Sequence, residues 1–175
     1  ANIERHGLSD NTMILFMSDN GGLSAHGRGG KAHTHNKPLS SGKGSAHEGG
    51  VRVPMIVDWP GVTAGGSVCR EPVIIEDFFA TVLEIAGVGD VEQVGGVIDG
   101  ESFVPLLKGE DRAAGRERSL FWHFPNHWGP GGPGIGASSA MRKGVWKLIY
   151  YHDPARAERY ELFRLDTDLG ERDNL

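Results

Sequence analysis

An acid and an amide stand where a short apolar run of the sequence stops. In the stretch ILFMSDNGGL, Asp19 and Asn20 directly follow the run Thr12–Ser18. In open α/β sheets, ligands bind beyond the carboxyl ends of parallel strands. Carboxylate and amide oxygens are hard donors that suit Ca²⁺ or Mg²⁺, and Gly21 and Gly22 allow a sharp turn beneath them. An ordinary Asx turn explains the same residues, and two ligands do not fill the roughly six to eight positions around Ca²⁺.

A lysine between two glycines lies in the next loop, PLSSGKGSAHEGGVRVP. The Lys43 ammonium could point into a cleft as a positive charge for an anionic oxygen. The spacing of a phosphate-binding P-loop is absent, and from the local residues alone a solvated loop lysine is the favoured explanation. Arg52, which follows the pair Gly49-Gly50, is expected to have a structural role, with Glu48 as its ion-pair partner.

The glycine-rich loop between the first two apolar runs also contains four histidines: His26, His33, His35 and His47. His33 and His35 would share one face of a strand, which a zinc or copper site could use. No cysteine and no third ligand at a standard spacing accompany them, so solvated or substrate-facing histidines are expected. His123 and His127 flank the tripeptide FPN in FWHFPNHW. Aromatic side chains beside imidazoles suit sugar or aryl binding, and they also suit the edge of a core.

Local patterns predict the elements that must position these side chains. Thr12–Ser18 and Val53–Trp59 are short apolar runs without alternation, which is typical of strands buried on both faces. The segment EPVIIEDFFATVLEIAGV has a helical rhythm with Gly87 as a C-terminal cap. A second, shorter helix is expected to end at Gly109. The aromatic-rich runs SLFWHF, SSAMRKGVWKLIYY and RYELFRLD predict a separate antiparallel sheet, with a hairpin turn at Lys143-Gly144.

Composition excludes several classes of protein. The chain has 175 residues, a formal net charge of −5 and 27 glycines, which fits one domain with or without a small satellite. It has no long basic run, so a nucleic-acid partner is not expected. The single cysteine, Cys69, excludes an internal disulfide framework. No apolar run approaches the length needed to span a membrane.

Several segments, taken in order and with their spacing, resemble the sulfatase family of the alkaline phosphatase-like superfamily. The DNG segment alone is weakly specific. Its combination with the pattern G-K-G-x-x-x-E-G-G-x-R-x-P and with the strand ending W-P-G is much more specific. The resemblance covers essentially all residues and matches the C-terminal portion of an arylsulfatase-type enzyme. The matching segments are NTMILFMSDNGG, NKPLSSGKGSAHEGGVRVPMIVDWPG, EDFFATVLEIAGV, DGESFVPLLKG, SAMRKGVWKLIYY and YELFRLDTDLGERDNL.

The resemblance implies a fold and a role for several residues. The fold is α/β: residues 1–115 form the C-terminal part of a mostly parallel sheet with helices, and residues 116–175 form a small antiparallel β subdomain. Asp19 and Asn20 match the second pair of ligands to a divalent cation, usually Ca²⁺ and alternatively Mg²⁺. Lys43 matches the lysine that contacts the sulfate ester. Substrate contacts are expected from four histidines: His33, His35, His123 and His127.

The sequence also departs from the family pattern. The nucleophile of the family is a formylglycine made within a C/S-x-P-x-R motif, and Cys69 is instead followed by Arg70-Glu71-Pro72. The first acidic ligand pair is missing as well. Both are expected upstream of Ala1, so the chain is interpreted as the C-terminal part of a sulfatase, inactive alone, with the N-terminal part of the same enzyme as its partner. A periplasmic or secreted location is implied by the resemblance.

Three functions follow as hypotheses. The first is a sulfuric ester hydrolase that acts on sulfate monoesters of a carbohydrate or an aryl group. The second is a phosphodiesterase or phosphonate hydrolase of the same superfamily, which differs in its upstream nucleophile and in its relative rates on matched sulfate and phosphate esters. The third is a non-catalytic binding module, which predicts that the chain begins near Ala1 and folds alone.

Overall fold

The computed structural model describes residues 2–24, 35–88, 97–111, 117–127 and 132–175. Its contacts divide the chain into two compact units. Unit 1 comprises Ala1–Phe16 and Ile56–Arg116, and unit 2 comprises Met17–Met55 and Glu117–Leu175. The domain boundary predicted between residues 115 and 116 stays a prediction.

Two short strands correspond to the two apolar runs. Strand β1 (Ile14–Met17) pairs with strand β2 (Met55–Asp58) in a two-stranded sheet, after helix α1 (Asn2–Arg5) and a 3₁₀ turn (Ser9–Asn11). The prediction that both strands are buried on both faces is wrong for this chain. The side chains of Phe16 and Ile56 are 67% and 64% exposed, because the described residues place no further layer against that face of the small sheet.

The predicted helices are present in unit 1, and glycines end both. Helix α3 (Asp77–Ile85) is followed by Gly87, and helix α4 (Val104–Leu107) by Gly109, each glycine with positive φ. The buried Asp77 carboxylate accepts hydrogen bonds from the Ile74 and Glu101 main-chain N–H groups, at 3.0 and 2.9 Å. These bonds join the start of α3 to the chain before α4. The apolar face predicted for α3 is only partly buried, since more than half of the Phe79 and Val82 side chains is exposed.

A four-stranded antiparallel sheet in unit 2 confirms the predicted C-terminal sheet. Its strands are β3 (Ser119–Phe124), β4 (Ser138–Lys143), β5 (Trp146–Tyr151) and β6 (Tyr160–Arg164), in that spatial order. Lys143-Gly144 begins the β4–β5 hairpin, and Gly144 has the positive φ that such turns favour.

One face of the four-stranded sheet carries the core of unit 2. Ile149 and Tyr151 of β5 pack with Ala46 and Phe163. Ala46 lies just before helix α2 (Glu48–Val51), so the glycine-rich segment around α2 is part of this core. A bridge between Ser45 and Ile135 also ties that segment to the chain leading into β4. The segment that contains the Lys43 loop therefore packs against this face of the sheet.

Candidate functional site

The chain directly after β1 is held backbone against backbone by the turn of α2. The Gly21 N–H donates a hydrogen bond to Gly50 O at 3.0 Å. A Cβ placed on Gly21 would lie 1.7 Å from Gly49 O, closer than any real contact. Glycine at position 21 is therefore required by close approach. The carboxylate and amide of Asp19 and Asn20 are consequently attached to a backbone that cannot easily shift.

Asn36, in the loop, holds Gly22 through both the main-chain N–H and the main-chain O of that glycine. Its amide accepts a hydrogen bond from Gly22 N–H at 3.0 Å and donates to Gly22 O at 2.9 Å and to Ser41 O at 3.0 Å. The Lys43 main-chain N–H donates to the same Gly22 O at 3.1 Å. The structure thus brings Lys43 beside the segment that carries Asp19 and Asn20, and leaves the Lys43 side chain exposed.

The turn of α2 is itself packed so closely that only glycine fits. A Cβ on Gly49 would lie 2.2 Å from Ser40 O, and one on Gly50 would lie 2.1 Å from Ser45 O. Gly49 N–H also donates to Ser40 O at 2.8 Å. The pair Gly49-Gly50 therefore forms a rigid contact between the Lys43 loop and the end of β1.

A buried cluster of charges anchors α2 to the C-terminal sheet. The Lys147 ammonium of β5 lies 3.0 Å from Glu48 Oε1 and 3.0 Å from Glu171 Oε1, and all three side chains are at most 1% exposed. The Glu48 main-chain N–H donates to Glu171 Oε2 at 2.6 Å. Arg52 and Arg142 each approach Glu48 Oε2 to 3.5 Å, so the predicted pairing of Glu48 with Arg52 is confirmed.

The pKa values of the two carboxylates of this cluster are shifted in opposite directions. Burial alone would raise the pKa of Glu48, but the hydrogen-bonded Lys147 ammonium, with Arg142 and Arg52, outweighs burial and lowers that pKa. Burial raises the pKa of Glu171, and the attraction of Lys147 and His47 offsets this only in part. Glu48 is therefore the principal partner of the ammonium, and Glu171 is the carboxylate whose charge is harder to bury.

A second buried group surrounds His47, the residue before α2. His47 Nε2 lies 2.8 Å from Glu161 Oε2, and Nδ1 is hydrogen-bonded to Ser40 Oγ at 2.9 Å. The Tyr151 hydroxyl donates to the same Glu161 oxygen at 2.7 Å. Burial would raise the pKa of Glu161, but the hydrogen bonds from His47 and Tyr151 lower it, while burial and that carboxylate raise the pKa of Tyr151. His47 is thus a structural histidine that joins the loop to β6.

The remaining predicted histidines occupy different surroundings. His123 Nδ1 is hydrogen-bonded to Ser139 Oγ at 2.9 Å, and that hydroxyl to His152 Nε2 at 3.0 Å. His127 lines an open cleft of about 530 Å³ whose wall also includes Tyr151 and Arg156. His35 is exposed. His33 and His26 lie outside the described residues, so their predicted places stay predictions.

The oxygen donors after β1, on Asp19 and Asn20, are of the kind that a hard divalent cation prefers. Within the described part of the chain, neither the Asp19 carboxylate nor the Asn20 side-chain amide hydrogen-bonds to a protein group, whereas the backbone around them is held firmly. The same part of the chain contains no cluster of three or more His, Cys, Asp or Glu side chains suited to a metal ion. Asp19 and Asn20 could therefore supply two oxygen ligands of a Ca²⁺ or Mg²⁺ site whose other ligands come from elsewhere.

These features agree with what comparison with known proteins finds. The family model N-sulphoglucosamine sulphohydrolase, C-terminal, matches residues 42–175. A sulfatase of Formosa agariphila is 36% identical over 97% of this chain and 29% of its own length. Human arylsulfatase D is 43% identical over 85% of this chain and 24% of its own length. The chain belongs to the sulfatase family, and it spans about a quarter to a third of the length of these relatives.

Solved structures share the fold. The structure of Ps i-CgsB in complex with k-i-k-neocarrahexaose superposes with a TM-score of 0.73 and 28% identity, covering 99% of this chain and 34% of that one. The phosphonate monoester hydrolase SpPMH from Silicibacter pomeroyi has a TM-score of 0.66 at 22% identity, and at that identity it shows the fold alone. Together these matches confirm the predicted fold class: the C-terminal portion of a sulfatase, with mixed helix and sheet and a four-stranded antiparallel sheet.

Sequence reasoning missed the residues that hold the site together. Sequence patterns did not indicate Asn36, Lys147, Glu161 or Glu171, and they did not indicate that His47 is buried. One signal was available for Lys147. It alternates with Ile149 and Tyr151 along β5, so a charged residue stands at a core-facing position. A lysine in such a position needs a buried acidic partner.

Proposed function

We propose that the full-length protein is a sulfatase that hydrolyses sulfate monoesters of a carbohydrate or an aryl compound to inorganic sulfate. This chain is its C-terminal part and is inactive alone. One contact carries the proposal: the Lys43 main-chain N–H bonds to Gly22 O, which holds the lysine beside Asp19 and Asn20 in a chain of the sulfatase family.

Each of these residues has a role that its chemistry supports. Asp19 and Asn20 would hold Ca²⁺, or alternatively Mg²⁺, through hard oxygen donors. Such a cation, when bound, acts as a Lewis acid that stabilises negative charge on oxygen. The exposed Lys43 ammonium would contact an anionic oxygen of the sulfate ester and stabilise the charge that grows as the ester bond breaks. The nucleophile is expected to be a formylglycine supplied by residues upstream of this chain.

A sulfated carbohydrate is the substrate class that the similar proteins favour. Ps i-CgsB was solved in complex with k-i-k-neocarrahexaose, and the match to it covers 99% of this chain. His127 lines an open cleft, and His123 shares a hydrogen-bonded chain with Ser139 and His152. These imidazoles would donate to or accept from sugar hydroxyls. His33 and His35 are proposed as further substrate contacts on the strength of the sequence alone.

The N-terminal part of the same enzyme is the proposed partner of this chain. Phe16 and Ile56 expose most of their apolar side chains, as would be expected of strands whose exposed face packs against another layer of the complete enzyme. A periplasmic or secreted location is proposed from the family resemblance. No helix of the described residues is both long and apolar enough to cross a membrane.

Turnover of a chromogenic aryl sulfate by the full-length protein tests the proposal. Lys43→Ala should lower kcat by about a hundredfold or more, which is the usual effect of losing one charge-stabilising donor. Lys37→Ala is the matched control, because Lys37 is an exposed lysine of the same loop, and it should leave kcat unchanged. Unchanged turnover in Lys43→Ala would remove the role assigned to Lys43.

The same assay decides between a sulfatase and a phosphonate hydrolase. The full-length protein would be given an aryl sulfate and an aryl phosphonate with the same leaving group. A sulfatase turns over the sulfate faster, whereas a clear preference for the phosphonate would favour the alternative that the shared fold with SpPMH allows. Turnover of neither ester would favour the non-catalytic binding module.

A further inference from the structure

The ammonium of Lys147 is completely buried, yet none of the roles proposed above uses it. It lies 3.0 Å from one carboxylate oxygen of Glu48 and 3.0 Å from one of Glu171. Glu48 is separated from Lys147 by 99 residues and from Glu171 by 123 residues. One cation therefore joins helix α2, strand β5 and the C-terminal segment of the chain.

Stability alone does not require a buried cluster of charged side chains. Well-packed apolar residues can often replace a buried ion cluster with little loss, because removing charges from water is costly. An ion cluster does, however, define the separation and direction of its members more narrowly than apolar contacts do. In unit 2, the member whose position matters most is Glu48, the first residue of α2.

Main-chain contacts couple the position of helix α2 to the position of the chain that follows β1. Gly49 and Gly50 follow Glu48, and Gly50 O accepts the hydrogen bond from Gly21 N–H at 3.0 Å. The absence of side chains on Gly21 and Gly49 leaves no flexible group between the two backbones. A displacement of Glu48 would therefore move Gly21, and with it the side chains of Asp19 and Asn20.

We propose that Lys147 is a positioning residue for the cation site: by holding Glu48 and Glu171 together, it sets the place of α2 and thereby the place of the ligands Asp19 and Asn20. The inference rests on the proposed function, in which these two residues bind Ca²⁺. It adds a residue of the C-terminal sheet, remote in sequence from both ligands, to the determinants of cation affinity.

Calorimetric Ca²⁺ titration of the full-length protein, without substrate, tests this inference. Lys147→Met removes the ammonium and keeps a side chain of similar length. Glu48→Gln keeps the size of the residue and removes its charge, and it decides the question if Lys147→Met does not fold. Each variant should bind Ca²⁺ about 10- to 100-fold more weakly, the usual effect of losing a residue that orients metal ligands. Lys143→Met is the matched control, because Lys143 is exposed on the neighbouring strand, and it should bind as the wild type does.

Thermal unfolding measured on the same samples separates positioning from stability. All titrations are made well below the Tm of every variant, so that only folded protein is compared. A lowered Tm with unchanged Ca²⁺ affinity in the folded variants would overturn the inference and leave the proposed function intact. A wild-type protein that binds neither Ca²⁺ nor Mg²⁺ would overturn both the inference and the cation site of the proposed function. Weaker binding by the folded variants, with the Lys143→Met control unchanged, would support the inference.

Discussion

A single methyl group on Gly21 tests how rigidly the end of β1 is held. In Gly21→Ala, the new Cβ would lie 1.7 Å from Gly49 O and 3.1 Å from Gly50 Cα. The nearest atoms belong to the backbone, which cannot rotate away as a side chain would. The backbone behind them is also blocked, since Gly49 and Gly50 approach the carbonyl oxygens of Ser40 and Ser45 closely.

The size of the effect follows from these contacts. Relief of the clash requires a shift of roughly 1.5 Å to reach an ordinary contact, and overpacking of this kind costs about 1–3 kcal/mol. The hydrogen bond from Gly21 N–H to Gly50 O would be lost or lengthened, at a cost of about 1 kcal/mol. We therefore expect Gly21→Ala to lower the free energy of unfolding by about 2–4 kcal/mol.

Urea unfolding of the full-length protein measures this loss, and Ca²⁺ titration of the folded variant shows whether the ligand segment has moved. Gly65→Ala is the matched control. A Cβ at Gly65 meets no atom within 4 Å, and the position does not have the positive φ that disfavours alanine. A Gly21→Ala protein within about 0.5 kcal/mol of the wild type, the range of harmless surface changes, would refute the argument from close packing.

Two further predictions concern the charge cluster and the exposed strands. Because the pKa of Glu48 is lowered from 4.5 and that of Glu171 is raised from 4.5, the pH dependences of the two glutamine variants should have opposite signs. The Glu48 contribution to stability is present above about pH 4.5 and is lost as the pH falls through its lowered pKa, so the deficit of Glu48→Gln should shrink in acid. The Glu171 contribution is present below about pH 4.5 and is lost as the pH rises through its raised pKa. The stability of Glu171→Gln relative to the wild type should therefore increase from pH 4.5 upward. If urea unfolding shows the same pH dependence of stability for both variants, both assignments are contradicted. The isolated 175-residue chain should self-associate through Phe16 and Ile56, because exposed apolar strands without partners favour association, and Phe16→Lys with Ile56→Lys should reduce this in sedimentation velocity. A cooperative thermal transition of the unmutated isolated chain that does not change with concentration would contradict this expectation.

Local patterns were enough to predict most of the elements. The runs SLFWHF and SSAMRKGVWKLIYY became β3, β4 and β5 with the turn at the predicted place. Gly87 and Gly109 end their helices as expected. Such features depend on residues that are near one another in sequence, namely the alternation of a strand and the positive φ of a glycine cap. The same patterns did not predict that β1 and β2 would be exposed on one face, because burial depends on which layers are present.

The sequence by itself determined that Asp19, Asn20 and Lys43 are candidates for chemistry, because their residue types and the surrounding glycines are visible in the order of the chain. Only the tertiary structure decided that Gly22 O bonds to Lys43, that His47 pairs with Glu161, and that Lys147 lies between Glu48 and Glu171. These contacts join residues up to 114 positions apart. Charges in a sequence indicate which residues can pair, but which of them do pair depends on the fold, since burial removes water as the competing partner and leaves each charge to the neighbours that packing provides.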